Sequence, residues 1–441
     1  MGLSIFASTV IFVLATVEPK VSYKNFKVYR IYPSTYHQVQ LLQDLEENYE
    51  TLYSFWKPPT HVNASVDLMI SPTIVPVFKN LMRSNYFDYQ LYIKDVQKLM
   101  DSEDVFKYSS PEGGFNWKQY HTLSDINEWL EYLENEYPDN IRVIYGGWSY
   151  KGRRIIGVKL SFAEGNPGVF IEGGMHAREW ISPATATYLL NELLTSQDPN
   201  VKNLAQKYDW YIFPVCNPDG YVYSHSTNRL WRKTRKPVSP ACHGVDPNRN
   251  WGFKWKSDGT TKNPCHATYS GTSAFSEIET RSLAEYLESI SEKLFAYISF
   301  HSYSQLLMFP YGHTDEKLDN YEESRAIAQK TVEALSERYG TYYRYGNIVE
   351  TLYVATGGSI DWVKANLKLP VVFVYELRDQ GKKGFLLPAE QIIPNGQEVL
   401  DSFLALFDEA AKYGYLNSDQ KEHSSSEKIT NFTEFDWFGI F

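Results

Sequence analysis

The sequence predicts a small antiparallel α+β unit followed by a large α/β domain, whose mixed central sheet is flanked by helices. Three observations carry this expectation. At 441 residues the chain is too long for one ordinary domain and suits a large domain plus a smaller one. Before a Gly- and Pro-containing stretch at 109–114, runs of the two periodicities follow one another as β-α-β-α-β. Beyond Tyr120, strand-like runs alternate with helical ones, the pattern of a sheet covered on both faces.

In the first unit, residues 26–32 alternate like a strand, and a helix is expected over 39–53. Strands are expected at 67–71 and 87–93, with a helix over 75–83 between them. In the second part, 124–137 reads as an amphipathic helix with Ser124 as its N-cap. Strands are then expected at 142–145, 155–160, 169–172, 209–215, 295–301 and 371–376. Helices are expected near 183–194, 277–291 and 322–339, and the sequence has no internal repeats.

Hydrophobic residues make up 43% and charged residues 22%, which fits a packed globular core. The net charge of −10 argues against a nucleic-acid binder or an anionic-membrane binder, since both need a surplus of cations. An aromatic share of 16% favours a strand-rich enzyme with aromatic-lined pockets. Residues 3–17 are apolar and uncharged, too short to span a bilayer comfortably and suited to a signal peptide cleaved between Ala15 and Tyr23. The expected product is a secreted, extracellular monomer without a membrane span. In an oxidising compartment Cys242 and Cys265 can close a loop, which leaves Cys216 as a buried free thiol. Asn63 and Asn431 begin N-x-S/T triplets, which are glycan acceptors in a secreted chain. The segment 415–441 is polar and then ends Phe435-Asp-Trp-Phe-Gly-Ile-Phe441, and it reads as a disordered tail.

The strand ending at Glu172 runs into Gly173-Gly-Met-His176-Ala-Arg-Glu179-Trp. The two glycines permit a sharp turn, and the i, i+3 spacing aims His176 and Glu179 at one point. A His and a carboxylate with an open position are catalytic zinc chemistry. His301 is the candidate third ligand, because it ends an apolar strand where open α/β folds build their sites. Alone, each of these signals is weak. Around them stand Arg229-Leu-Trp-Arg232-Lys-Thr-Arg235-Lys, Val245-Asp246-Pro-Asn248-Arg249-Asn-Trp251, His301-Ser-Tyr303, Tyr353-Val-Ala-Thr-Gly-Gly-Ser-Ile360-Asp-Trp and Tyr375-Glu376-Leu-Arg-Asp379. In this order, and with Phe385-Leu-Leu-Pro near the end, they closely resemble the pancreatic-type (A/B) zinc metallocarboxypeptidases, carboxypeptidase A-like and made as a precursor.

The resemblance covers roughly Tyr120 to Lys412, and the upstream unit resembles that family's globular propeptide. It implies a propeptide at 23–108 and a catalytic domain at 115–414, between the signal peptide read at 1–17 and the tail at 415–441. It also implies one zinc ion per chain on His176, Glu179 and His301, with Asp246 orienting a ligating imidazole. Glu376 would be the general base and acid, and Arg232 the oxyanion stabiliser. Asn248, Arg249 and Tyr353 would hold the terminal carboxylate of a peptide. Arg178, Tyr303 and Phe385 would line outer subsites, and Ile360 the pocket for the departing side chain. Partners are then peptide or protein C-termini and an activating protease.

The chemistry agrees residue by residue. A carboxylate next to an activated water takes its proton and later returns one to the leaving amine. A tetrahedral oxyanion needs a fixed cation. A guanidinium forks onto a chain-end carboxylate better than an ammonium does. The uncharged Ile360 implies apolar or aromatic C-terminal residues rather than Lys or Arg, with Asp361 next door as the competing acid. Met308 and Val374 would supply apolar walls, and Gly312 and Ala355 the space. The junction before Tyr120 has no dibasic pair, so Lys107 is the expected activation target. A zinc amidase acting on amino-acid conjugates is the alternative that dispenses with the Asn248–Arg249 clamp. A non-catalytic binding relic is the other, and would lack a ligand or Glu376.

Overall fold

The structure is a computed structural model that describes residues 18–49, 52–103, 114–256 and 261–415. The expected signal peptide, the expected cut at Lys107, Asn431 and all but the first residue of the tail therefore lie outside the described residues. The N-terminal unit runs β1 (Lys27–Tyr32), α1 (Tyr36–Tyr49), β2 (Tyr53–Lys57), β3 (Val66–Ile70), α2 (Val75–Ser84), β4 (Asp88–Ile93) and α3 (Val96–Glu103). Its sheet has the order β2-β3-β1-β4 and is antiparallel throughout. The helix expected over 39–53 stops at Tyr49, and Tyr53 opens a strand that the sequence reading did not anticipate. That strand, Tyr-Ser-Phe-Trp-Lys, is β-prone, and Phe55 and Trp56 are both buried, one in the unit's own core and one against the large domain.

The large domain begins with α4 (Leu123–Glu136), β5 (Ile141–Trp148), β6 (Arg154–Leu160), β7 (Gly168–Glu172), α5 (Ile181–Thr195), α6 (Pro199–Lys207), β8 (Asp209–Phe213) and α7 (Pro218–Ser226). It continues with α8 (Ile278–Ser289), β9 (Leu294–Ser302), β10 (Leu306–Phe309), α9 (Tyr321–Tyr339), β11 (Arg344–Asn347), α10 (Ile348–Thr351), α11 (Ser359–Trp362), β12 (Val371–Leu377) and α12 (Ile392–Ala411). The N-cap of α4 is Thr122 rather than Ser124: Thr122 and Asp125 form a reciprocal capping box that satisfies two N-terminal donors.

The sheet order is β11-β10-β12-β9-β7-β8-β6-β5. Pairs β12/β9, β9/β7, β7/β8 and β10/β11 are parallel, whereas β10/β12, β6/β8 and β5/β6 are antiparallel. The sheet is therefore mixed, as expected. Strand alternation splits the core in two. Val169 and Ile171 face the layer of α4, α5, α9 and α12, and Phe170 faces the layer of α8 and α11. With both faces covered, the central strands are buried end to end. Side chains at the C-terminal ends of β7, β9 and β12 thus emerge from a rigid base at one sheet edge.

Candidate active site

Gly174 makes the turn that brings β7 to the site. Its φ is +61°, and a Cβ there would meet Pro214 O and Val215 Cα at 3.0 Å. One turn later the Glu179 N–H donates to His176 O at 3.2 Å, the tight i, i+3 turn that the spacing suggested. His301, on β9, reaches the same point. His176 Nδ1 lies 2.9 Å from Glu179 Oε1 and 3.0 Å from His301 Nδ1, and His301 Nδ1 lies 3.0 Å from Glu179 Oε2. All three residues are buried, and they are the metal-capable group found among the described residues.

The donor set fits zinc. Bonds of about 2.0–2.1 Å to a tetrahedral ion put donor atoms roughly 3.3 Å apart, close to the spacing seen here. His176 Nε2 faces Asp246 Oδ1 at 3.1 Å, which places the proton on Nε2 and leaves the Nδ1 lone pair toward the cluster. Burial alone would raise the Glu179 carboxyl, but His176 and His301 outweigh it and hold it well below the usual range. Burial and the Arg232 charge together depress His176, which keeps it neutral as a ligand must be.

Arg232 flanks the cluster. Its guanidinium donates to Asp246 Oδ2 at 2.9 and 3.2 Å and passes 3.7 Å from Glu179 Oε1. Glu376 is paired in register with His301 on the neighbouring parallel strand, so the two side chains enter the cleft side by side. The Glu376 carboxyl retains some solvent contact, yet the crowded protein around it and the charge of Glu179 push its pKa up to about 8. Arg249 donates to Tyr353 Oη at 3.0 Å and, through its other arm, to Asn248 O at 2.8 Å. Asn248 Oδ1 accepts the Ser359 N–H at 3.0 Å. Arg178 stacks over Phe385 with 4.0 Å from guanidinium to ring centre, and Tyr303 packs edge-on against the same ring.

A cavity of about 130 Å³ is lined by His176, Glu179, His301, Arg232, Arg249 and Glu376, with Asp246 outside its lining. Met308, Ala355, Ile360 and Val374 line it, as does Asp361. The Asp361 carboxylate is nonetheless engaged, accepting from Gly312 N at 2.7 Å, His313 N at 3.0 Å and His313 Nδ1 at 2.9 Å. Gly312, read from sequence as giving space, serves here as a donor to Asp361. Cys242 and Cys265 form a disulfide, and Cys216 is a buried free thiol. The basic run from Arg229 to Lys236 is not an exposed cationic face. Arg229 stacks on Trp180 and pairs with Glu103, Lys233 donates to Pro264 O, and Arg235 stacks on Tyr223 and Trp231.

The N-terminal unit closes the cavity from above with Phe55, Trp56, Lys57 and Pro58. Trp56 packs on Phe385, with ring centres 5.4 Å apart. At the unit's end, Glu103 grips Arg229 through two bonds of 2.9 and 3.0 Å. These contacts of Glu103 and Arg229 were not anticipated, since an acid at a helix end and one Arg in a basic run carry no distinguishing local pattern.

An open three-ligand metal site at the edge of a mixed α/β sheet, beside a carboxyl of raised pKa, defines a metal-dependent hydrolase. The zinc carboxypeptidase profile matches residues 126–402, and the carboxypeptidase activation peptide profile matches residues 29–103. Zinc carboxypeptidase A 1 of Anopheles gambiae is 46% identical over 398 residues, which cover 90% of this chain and 92% of that protein. Carboxypeptidase A2 of Rattus norvegicus is 39% identical over 379 residues, covering 84% and 90%. The crystal structure of thrombin activatable fibrinolysis inhibitor superposes with a TM-score of 0.82 at 31% identity, covering 90% of this chain and all of that one. The chain belongs to the zinc carboxypeptidases and carries their activation peptide, so it is the zymogen of a zinc-dependent exopeptidase.

Proposed function

We propose that this chain is a secreted precursor whose processed form removes apolar and aromatic residues from peptide C-termini. One observation carries the preference: Ile360 lines the cavity while the neighbouring acid, Asp361, already accepts three hydrogen bonds. A Lys or Arg side chain would bring a charge against Met308, Ile360 and Val374 beside an acid that is already engaged, at a cost of several kcal/mol.

Geometry and chemistry support the following residue roles. His176, Glu179 and His301 would hold a zinc ion, which when bound would supply Lewis-acid chemistry to the scissile carbonyl and to a water. Arg249, with Asn248 and Tyr353 beside it, presents fixed donors to the substrate's terminal carboxylate and so measures from the chain end. Glu376 takes a proton from the attacking water and later delivers one to the leaving amine, a task suited to a carboxyl with a raised pKa. Arg232, held in place by Asp246, offers a rigid cation to the oxyanion. Arg178, Tyr303 and Phe385 form the outer wall where preceding residues lie. The catalytic part spans 115–414 and the propeptide 23–108, and the enzyme stays latent until the chain between them is cut.

The test is hydrolysis of blocked dipeptides differing only in the last residue, before and after limited trypsin treatment. Phe and Leu should exceed Lys and Arg in kcat/KM, and turnover should rise sharply on processing. A processed enzyme that favours Lys or Arg would refute the pocket assignment, and a precursor as active as its product would refute latency.

A further inference from the structure

Glu172, the last residue of β7, is completely buried and lies behind the specificity pocket. Its Oε1 accepts from Ser299 Oγ at 2.8 Å and from Ser359 Oγ at 3.2 Å. Ser299 stands on β9 two residues before His301, and Ser359 opens α11 immediately before Ile360. Both serines line the cavity together with Ile360, Met308 and Val374. A hydroxyl has a single hydrogen, so one that donates to a carboxylate keeps only acceptor capacity for anything else. A Glu172 protonated on Oε2 still accepts both bonds through Oε1.

We infer that Glu172 sets the hydrogen-bond polarity of the pocket: it takes both serine hydrogens, leaves that wall acceptor-only, and so favours C-terminal tyrosine over phenylalanine. The inference rests on the apolar-pocket reading above and ranks substrates within it. A phenol is a neutral donor at the far end of a ring, and a serine lone pair satisfies it at no charge cost. An ammonium also donates, but two neutral oxygens do not offset its desolvation. Glu172 touches no substrate atom. It is a positioning residue that acts through Ser299 and Ser359.

The experiment compares kcat/KM of processed enzyme on blocked dipeptides ending in Tyr, Phe, Leu and Lys. One neutral hydrogen bond predicts a Tyr/Phe ratio of about 2 to 12. Glu172→Gln replaces an acceptor pair with one acceptor and one donor group, which turns a serine hydrogen toward the pocket. Ser359→Ala deletes one acceptor. Both should bring the Tyr/Phe ratio toward 1, a change that loss of folded protein does not produce because it scales both substrates alike. If Glu172→Gln does not fold, Ser359→Ala decides. A wild-type ratio at or below 1, or a ratio unchanged in the variants, overturns the inference while leaving the apolar pocket standing. Lys exceeding Phe and Tyr overturns the apolar pocket itself, and this inference with it.

Discussion

Tyr303 Oη donates to Asp67 Oδ2 across the seam between the two parts of the chain, at 2.9 Å. Asp67 lies on β3 and is completely buried, and Arg30 holds it with two bonds of 2.6 Å. The same guanidinium donates to Gln380 O of the large domain at 2.7 Å. An ion pair inside the N-terminal unit is thus also its grip on the outer wall of the cleft. Asp67→Ala would leave Arg30 buried without its counter-charge, which costs about 3–5 kcal/mol. The precursor should then hydrolyse dipeptides before any processing, and the processed enzyme should match wild type. Turnover assays on both forms check this, and a fully latent Asp67→Ala precursor would refute the role of the pair.

Glu376→Gln keeps the shape of the side chain and removes its basicity. With Glu376 as proton carrier, kcat should fall at least about 100-fold while bound zinc is retained. The variant has to be assayed for metal and turnover together. Full zinc with near-normal kcat would eliminate Glu376 as the base.

The same carboxyl should set the acid limb of the pH profile. Burial and Glu179 raise the Glu376 pKa to about 8, and a bound cation nearby pulls it back down. With Glu376 as the base, kcat/KM should climb as pH rises through its pKa, at a midpoint between the ordinary carboxyl value of about 4.5 and 8. A limb at or below the free value would contradict an environment that favours the protonated form.

The sequence made the site more legible than the frame around it. His176, Glu179 and His301 became readable through the motifs around them in order, because the i, i+3 spacing and the apolar strand are each weak signals alone. Ile360 was separable from Asp361 only by register; both line the cavity, and Asp361 accepts three hydrogen bonds there. The short strands β10 and β11, of four residues each, escaped notice because Leu306–Phe309 and Arg344–Asn347 are too brief to express a period. β2 was absorbed into the preceding helix, since Leu45 and Tyr53 fit a helical stripe as well as a strand. Glu172, Asp67 and Glu103 were invisible because their partners lie 127, 236 and 126 residues away.

Asp246 ties His176 to Arg232, accepting from Arg232 at 2.9 Å while facing His176 Nε2 at 3.1 Å. Asp246→Asn weakens both attachments without changing volume. Loss of such an outer partner typically costs about 10- to 100-fold in metal affinity or activity. Zinc competition with a chelator should therefore strip the variant at a lower chelator concentration than wild type, and activity should return when zinc is added back. Unchanged zinc retention would remove Asp246 from the metal's support.

Glu279, on α8 and far from the cleft, should make the fold less stable in mild alkali. It is 2% exposed, and one oxygen accepts the Tyr150 N–H at 3.0 Å. Burial raises its pKa to about 7, from the ordinary value near 4.5. Between those values the folded chain holds a proton that the unfolded chain has released. Unfolding free energy therefore declines as pH rises through this window, and the loss is complete above the folded pKa. The shift corresponds to about 3 kcal/mol. Glu279→Gln stays neutral at every pH and keeps an acceptor for Tyr150. Its stability relative to wild type should be near zero difference at pH 4 and should grow to about 3 kcal/mol in its favour by pH 8.5. Urea unfolding of processed enzyme at the two pH values measures that difference, and the comparison at equal pH cancels the titration of zinc ligands. A Gln variant no more stable than wild type at pH 8.5 would mean that the buried carboxylate is compensated in a way its contacts do not reveal.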